Sequence, residues 1–155
     1  MKRRQIVLVP VLILSCFVLF SCSREEKELS SINPGLYEIH LNLKYAGQLL
    51  ILKQRVRYNA DGTFLATNFQ NDVAYEELKG KYKVDNGELV SYENYQRLII
   101  PDGEWKRQAS ASVKIRKIKE NSYQYYFEYP NALARERFKG LGLTEGWKTY
   151  KRISD

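Results

Sequence analysis

The stretch VRYNADGTFLA, Val56–Ala66, decides how the rest of the chain is read. It places an amide, an acid and a glycine within four residues, which suits either an ion cradle or a tight turn. A calcium loop with Gly62 at its invariant glycine puts Asn59 and Asp61 at ligand positions. It also puts Arg57 where the first carboxylate belongs, and Asn68 where a bidentate glutamate should close the loop. A cation cannot replace that carboxylate, so the motif fails. A phosphate loop fails as well, because no glycine-rich run leads into Lys-Ser or Lys-Thr. What fits is a hairpin corner, with Asp61-Gly62 supplying positive backbone dihedrals between two strand-like runs.

Outward from that corner the periodicity is two. In LLILKQRVRY the residues Leu50, Leu52, Val56 and Tyr58 share one face, and Lys53, Arg55 and Arg57 share the other. LKGKYKV sets Leu78, Gly80, Tyr82 and Val84 against Lys79, Lys81 and Lys83. After Asn86-Gly87, a second corner of similar style, ELVSYENY continues. ASVKIRKI alternates Ala111, Val113 and Ile115 with Ser112, Lys114 and Arg116. SYQYYFEY aligns Tyr123, Tyr125, Phe127 and Tyr129. With LYEIHLNL at Leu36–Leu43, TFLATNF after the first corner and WKTYKRI at Trp147–Ile153, about eight strands are expected. One segment departs from the pattern. NALARERFKG has Asn131 as an N-cap, helix formers through Lys139 and Gly140 where a helix would stop, so a short helix is expected before the last strand. Sequential strands with one apolar face each predict an all-β antiparallel meander, closed into a barrel or packed as two sheets.

Four segments carry a resemblance. An early glycine and aromatic (Gly35, Tyr37), Tyr-x-x-Asp-Gly-Thr-Phe at 58–64, Gly80-x-Tyr82 followed by Leu89, and a closing Tyr150-Lys151-Arg152-Ile153 are similar in order to small bacterial lipocalin-like domains. The resemblance spans most of residues 35–153. It implies an up-and-down barrel that can enclose a cavity.

The first residues read differently. Lys2, Arg3 and Arg4 precede the apolar run Ile6–Phe20, which is shorter than the roughly 20 residues of a spanning helix and carries the charge order of a secretory signal. Leu19-Phe20-Ser21-Cys22 resembles the lipobox of bacterial lipoproteins. That resemblance implies cleavage before Cys22 and lipid on its sulfur, and Ser23 after the cysteine implies outer-membrane sorting. A second box ends at Cys16, but cleavage there would leave Phe17–Phe20 exposed, so Cys22 is the expected attachment site. The expected organisation is a signal peptide at 1–21, a flexible tether at 22–34 and a barrel domain at 35–155. Losing the signal removes Cys16 and lowers the net charge from +7 to +4. With Cys22 acylated, no thiol remains to form a disulfide, and the core alone must hold the domain.

No residue pattern points to catalysis, a metal or a cofactor. His40 is the only histidine, too few for an ordinary zinc site, and it falls in an alternating strand. The pairs Glu25-Glu26 and Glu76-Glu77 read as solvated charge in the tether and in a loop. The aromatic load is more suggestive: 12 tyrosines with Trp105 and Trp147 suit flat apolar ligands and sugars, and equally suit filling a barrel. The expected function is a non-catalytic, lipid-anchored envelope protein that binds a small hydrophobic or glycan-type ligand. Its expected partners are the membrane, through Cys22, and that ligand, including anionic glycans. Nucleic acid is not expected, and oligomeric state is not specified. The alternative is an envelope interaction protein, a scaffold, adhesin or enzyme inhibitor, that works through basic rows on its outer face.

Overall fold

A computed structural model describes residues 30–155, except positions 46 and 120. The signal segment, Cys22 and Glu25-Glu26 lie outside the described residues. In order along the chain, the strands are β1 (Gly35–Tyr45), β2 (Gln48–Tyr58), β3 (Thr63–Gln70), β4 (Val73–Asp85), β5 (Glu88–Leu98), β6 (Lys106–Arg107), β7 (Ala111–Lys119), β8 (Ser122–Phe127) and β9 (Gly146–Ser154). All pair antiparallel. β1 to β5 follow one another, β5 then pairs with β7, and β7, β8 and β9 return to β1, which closes an eight-stranded barrel. β6 is an extra two-residue strand on the far half of β5. The fold is therefore the all-β, lipocalin-like up-and-down barrel expected from the alternation.

Turn chemistry sets the register. Asn86-Gly87 has positive φ at both residues, as a two-residue hairpin of the type I′ class requires, and Asn71-Asp72 does the same between β3 and β4. The Asn59–Gly62 corner is built differently. Only Gly62 is left-handed, at φ 80°, and Asp61 is not. Asp61 instead accepts hydrogen bonds from the Thr63 amide at 2.9 Å and hydroxyl at 2.7 Å, which hold its carboxyl below the usual carboxylate range. The two corners thus share a role and not a geometry.

The short helix α1 (Ala132–Phe138) is present, and Asn131 caps it through a 2.8 Å bond from the Ala134 amide. It does not stop at Gly140. A 3₁₀ turn, Lys139–Leu141, extends it to Gly142, which takes the left-handed cap position at φ 72°. No residue of α1 is buried, and Phe138 stacks on Tyr129 at 6.4 Å.

The core lies at one end of the barrel. Tyr37, Tyr58, Tyr123 and Tyr150 are buried there with Ile39, Val56, Ala66 and Ile115. Ile32, ahead of β1, is only 6% exposed and belongs to the same cluster. Tyr37 donates to the Asn33 carbonyl at 3.0 Å, and Arg152 donates to the Pro34 carbonyl. Packing therefore begins before Gly35: the last residues of the segment expected to be a flexible tether close this end of the barrel.

Candidate functional site

Inside the barrel, above the tyrosines, is a cavity of about 630 Å³. Tyr58 and Tyr123 line its floor, and Leu41, Leu52, Phe69 and Tyr75 line its upper part. Strand alternation supplies the lining, because residues two apart on one strand face the same side. On β2 the inward row runs Leu52, Gln54, Val56, Tyr58, and on β3 it runs Phe64, Ala66, Asn68.

β5 needs a device to keep facing inward. Leu89 and Ser91 line the cavity at odd positions, then Asn94 and Gln96 at even ones. The register shifts opposite Gly80, and Glu93 takes a left-handed φ of 51°. This is a β-bulge, one extra residue that changes which positions point in. Gly80 leaves room for it: a Cβ there would stand 2.5 Å from Asn94 Oδ1 and 3.0 Å from the Phe64 ring. Asn94 is buried, and its amide donates to Ser91 Oγ at 3.0 Å and to the Ala109 carbonyl at 2.9 Å.

A belt of polar side chains crosses the wall. The Tyr150 hydroxyl donates to Gln54 Oε1. Gln54 Nε2 donates to Asn68 Oδ1 at 2.7 Å, and Asn68 Nδ2 donates to Glu76 Oε2 at 2.6 Å. Gln96 Nε2 donates to the other carboxylate oxygen of Glu76. The belt draws on β9, β2, β3, β4 and β5. Gln54 pairs directly with Asn68, and Asn68 with Glu76, in the strand registers. Glu76 is thus not in a loop, as its Glu-Glu doublet suggested. It sits in β4 and reaches back to these amides, while Glu77 pairs with Arg97 at 2.6 Å.

The floor is bound by ring contacts. Tyr58 and Tyr123 share a hydrogen bond at 2.9 Å, Tyr37 meets both edge-on, and Tyr123 stacks on Tyr150 with centroids 5.0 Å apart. Burial pushes the hydroxyls of Tyr58, Tyr123 and Tyr150 well above the ordinary tyrosine range, because a phenolate there would be poorly solvated. Burial raises Tyr75 as well, and the charge on Glu76 adds to it.

The upper end carries exposed apolar side chains. Leu49, Val73, Leu98, Ile99 and Ile100 are each more than two-fifths exposed. They sit on or beside the β1–β2 turn, the β3–β4 turn and the end of β5, which the topology places at one end. The Ile99 amide bonds to the carbonyl of Tyr75, a lining residue.

The basic rows carry partners with them, and Lys53 among them turns to the cavity's upper rim instead of the outer face. Arg55 pairs with Glu38 at 2.6 Å, Lys53 with Asp72, Lys81 with Glu93 at 2.7 Å and Lys83 with Asp85 at 3.3 Å. Lys79 lies over the Trp105 ring at 4.2 Å, and Arg116 over Trp147 at the same distance. His40 is on the outside, with Nε2 2.6 Å from Glu38 Oε1. Burial alone would raise the Glu38 carboxyl, but the bonds from Arg55 and His40 outweigh it and hold it low.

The inward tyrosines were legible as a row, but the belt was not anticipated. Its signal is a polar residue on an otherwise apolar row, Gln54 after Leu52 and Asn68 after Ala66. Fold and cavity together define a class: a closed antiparallel β-barrel with an internal cavity, apolar in the main and crossed by one polar belt. No protein-family model matches the chain, and no curated protein is significantly similar to it.

Proposed function

We propose that the barrel binds a small, largely apolar ligand in its interior, and that the chain is a lipid-anchored bacterial envelope protein that acts by binding and not by catalysis. The observation that carries the ligand reading is the cavity. Its volume of about 630 Å³ falls within the range of small-molecule sites. Its lining of aliphatic and tyrosine side chains with a few convergent amides is the usual composition of such sites. The exposed leucine and isoleucine side chains at the upper end give an apolar ligand a surface to meet first. The anchor rests on the signal and Leu19-Phe20-Ser21-Cys22. Two or more acyl chains suffice for stable attachment to a bilayer.

Titration with N-phenyl-1-naphthylamine tests the ligand reading. Saturable fluorescence enhancement at one site per chain is expected. Val113→Trp, which adds a ring to the cavity wall, should weaken uptake roughly tenfold or more without altering far-UV circular dichroism. A folded wild-type chain that takes up no probe refutes the reading. For the anchor, Cys22→Ala should abolish labelling by radioactive palmitate and release the protein from membranes. Unchanged labelling refutes lipidation at that residue.

A further inference from the structure

The hydrogen bonds of the belt have a direction, and Glu76 sets it. A carboxylate only accepts, so both neighbouring amides must turn their NH₂ groups towards it. Asn68 does so, which leaves its carbonyl to accept from Gln54. Gln54 in turn accepts from the Tyr150 hydroxyl. Gln96 does so from the other side, and its Oε1 has no hydrogen-bond partner among the described residues. The donors of the belt are thus aimed at one anion, and an acceptor is left over at the wall.

Among the described residues, no cation balances that anion from within the cavity. Lys53 is the only lysine, arginine or histidine among them that lines the cavity. It stands at the upper end, paired with Asp72 and 4.7 Å from the centre of the Phe69 ring. Among the described residues, the two hydrogen bonds to the Glu76 carboxylate both come from neutral amides. Glu76 itself does not line the cavity; it stands directly behind Asn68 and Gln96, which do. A carboxylate just behind a mostly apolar wall attracts a positive charge to that wall and repels a negative one.

Building on the ligand-binding reading above, we propose that the cavity selects apolar molecules that bear a protonated aliphatic amine and discriminates against carboxylates such as fatty acids. The ammonium group sits at the upper belt and donates to Gln96 Oε1, the Glu76 carboxylate supplies the negative charge one hydrogen bond behind the Asn68 and Gln96 amides, and the hydrocarbon body lies against Leu52, Leu78 and Val113. The amine meets both charge and geometry there, because an N–H donor reaches the unfilled Gln96 Oε1 and its charge faces the nearby carboxylate. An alcohol meets the geometry alone. A carboxylate meets neither.

Competition on the purified full chain tests this. Decylamine, decanol and decanoate share one hydrocarbon body and differ in the head group. Each is titrated against bound N-phenyl-1-naphthylamine at neutral pH. Decylamine should displace the probe at about one-tenth the concentration that decanol needs, with decanoate weaker than both, as expected for a charge pair of partly buried groups. Glu76→Gln should remove the amine preference and leave decanol within about twofold of wild type, since a glutamine keeps the shape and loses the charge. Decanoate competing as well as decylamine overturns the inference, as does an amine preference that survives in Glu76→Gln. If that variant fails to fold, the order of the three competitors on the wild-type chain decides alone. A naphthylamine that never enters overturns the ligand reading itself. One that enters and is displaced equally by all three overturns only this inference.

Discussion

The two ends of the barrel are built from the same strands, yet one is filled and the other hollow. At the lower end, Tyr37, Tyr58, Tyr82 and Tyr123 meet ring to ring, and Ile32 packs beneath them. At the upper end the inward positions are Leu41, Leu52, Asn68 and Gln96, and they enclose space. Strand number and tilt fix the width of a barrel, so side-chain size decides whether a given level is solid. Rings span the interior, whereas leucines and amides do not. Stability and ligand capacity are thus separated along one axis: the lower end holds the barrel shut, and the upper end is free to be shaped for a ligand.

The largest test of that division is Tyr123→Ala. The ring is 3% exposed, stacks on Tyr150 and shares a hydrogen bond with Tyr58. Its removal should cost about 3–5 kcal/mol in urea denaturation, as for other large aromatic-to-alanine changes in cores. Leu52→Ala, in the hollow end, should cost clearly less, because that side chain already borders empty space. Equal costs would break the comparison.

Gly80→Ala probes the junction between the two ends. A methyl group there meets Asn94 and Phe64 at less than van der Waals distance, so a loss of about 1–3 kcal/mol is expected, typical of overpacking. An unchanged midpoint would mean that the bulge at Glu93 yields freely.

Alkali should open the filled end first. Tyr58, Tyr123 and Tyr150 have hydroxyls raised by burial. The native state therefore keeps protons that the unfolded chain releases above its ordinary tyrosine value of about 10. Stability is full below that value and falls as pH rises through it, by roughly 1.4 kcal/mol per buried tyrosine for each pH unit. Tyrosinate absorbance should rise in two stages, exposed tyrosines first and the buried Tyr37, Tyr58, Tyr123 and Tyr150 together with unfolding. A single smooth titration would show that the floor admits water.

Lys81→Ala should do least. Its pair with Glu93 has both side chains about half exposed, and such pairs contribute between nothing and about 1 kcal/mol. A larger loss would mean that the ion pair helps hold the left-handed Glu93, which would tie the outer surface to the shape of the cavity.

Most of the fold was legible because the alternation is dense. Lys79, Lys81 and Lys83 against Leu78, Tyr82 and Val84 leave little choice of face, and Asn86-Gly87 marks its own corner. What was hidden has local causes. The bulge at Glu93 lies between polar residues, Ser91 and Asn94, so the change of parity leaves no apolar trace. Glu76 beside Glu77 looked like a charged loop, because two adjacent acids on opposite faces of a strand read as one cluster. Ile32 stands alone in a polar run and gives no periodicity. The belt depends on registers between three neighbouring strand pairs and on a reach from β9 over β1 to β2, which no single stretch of sequence displays.

The filled end also gathers the chain's two approaches. Residues 30–34 border one surface pocket with Ala60 and Gly62, Arg152 at the end of β9 holds the Pro34 carbonyl, and Arg57 holds the Asp155 carbonyl. Both ends of the described barrel therefore leave from the side opposite the cavity's upper end. The molecule has a handle and a cup, and they face apart. A surface, a tag or a fused domain joined through either end would leave the cup turned outward.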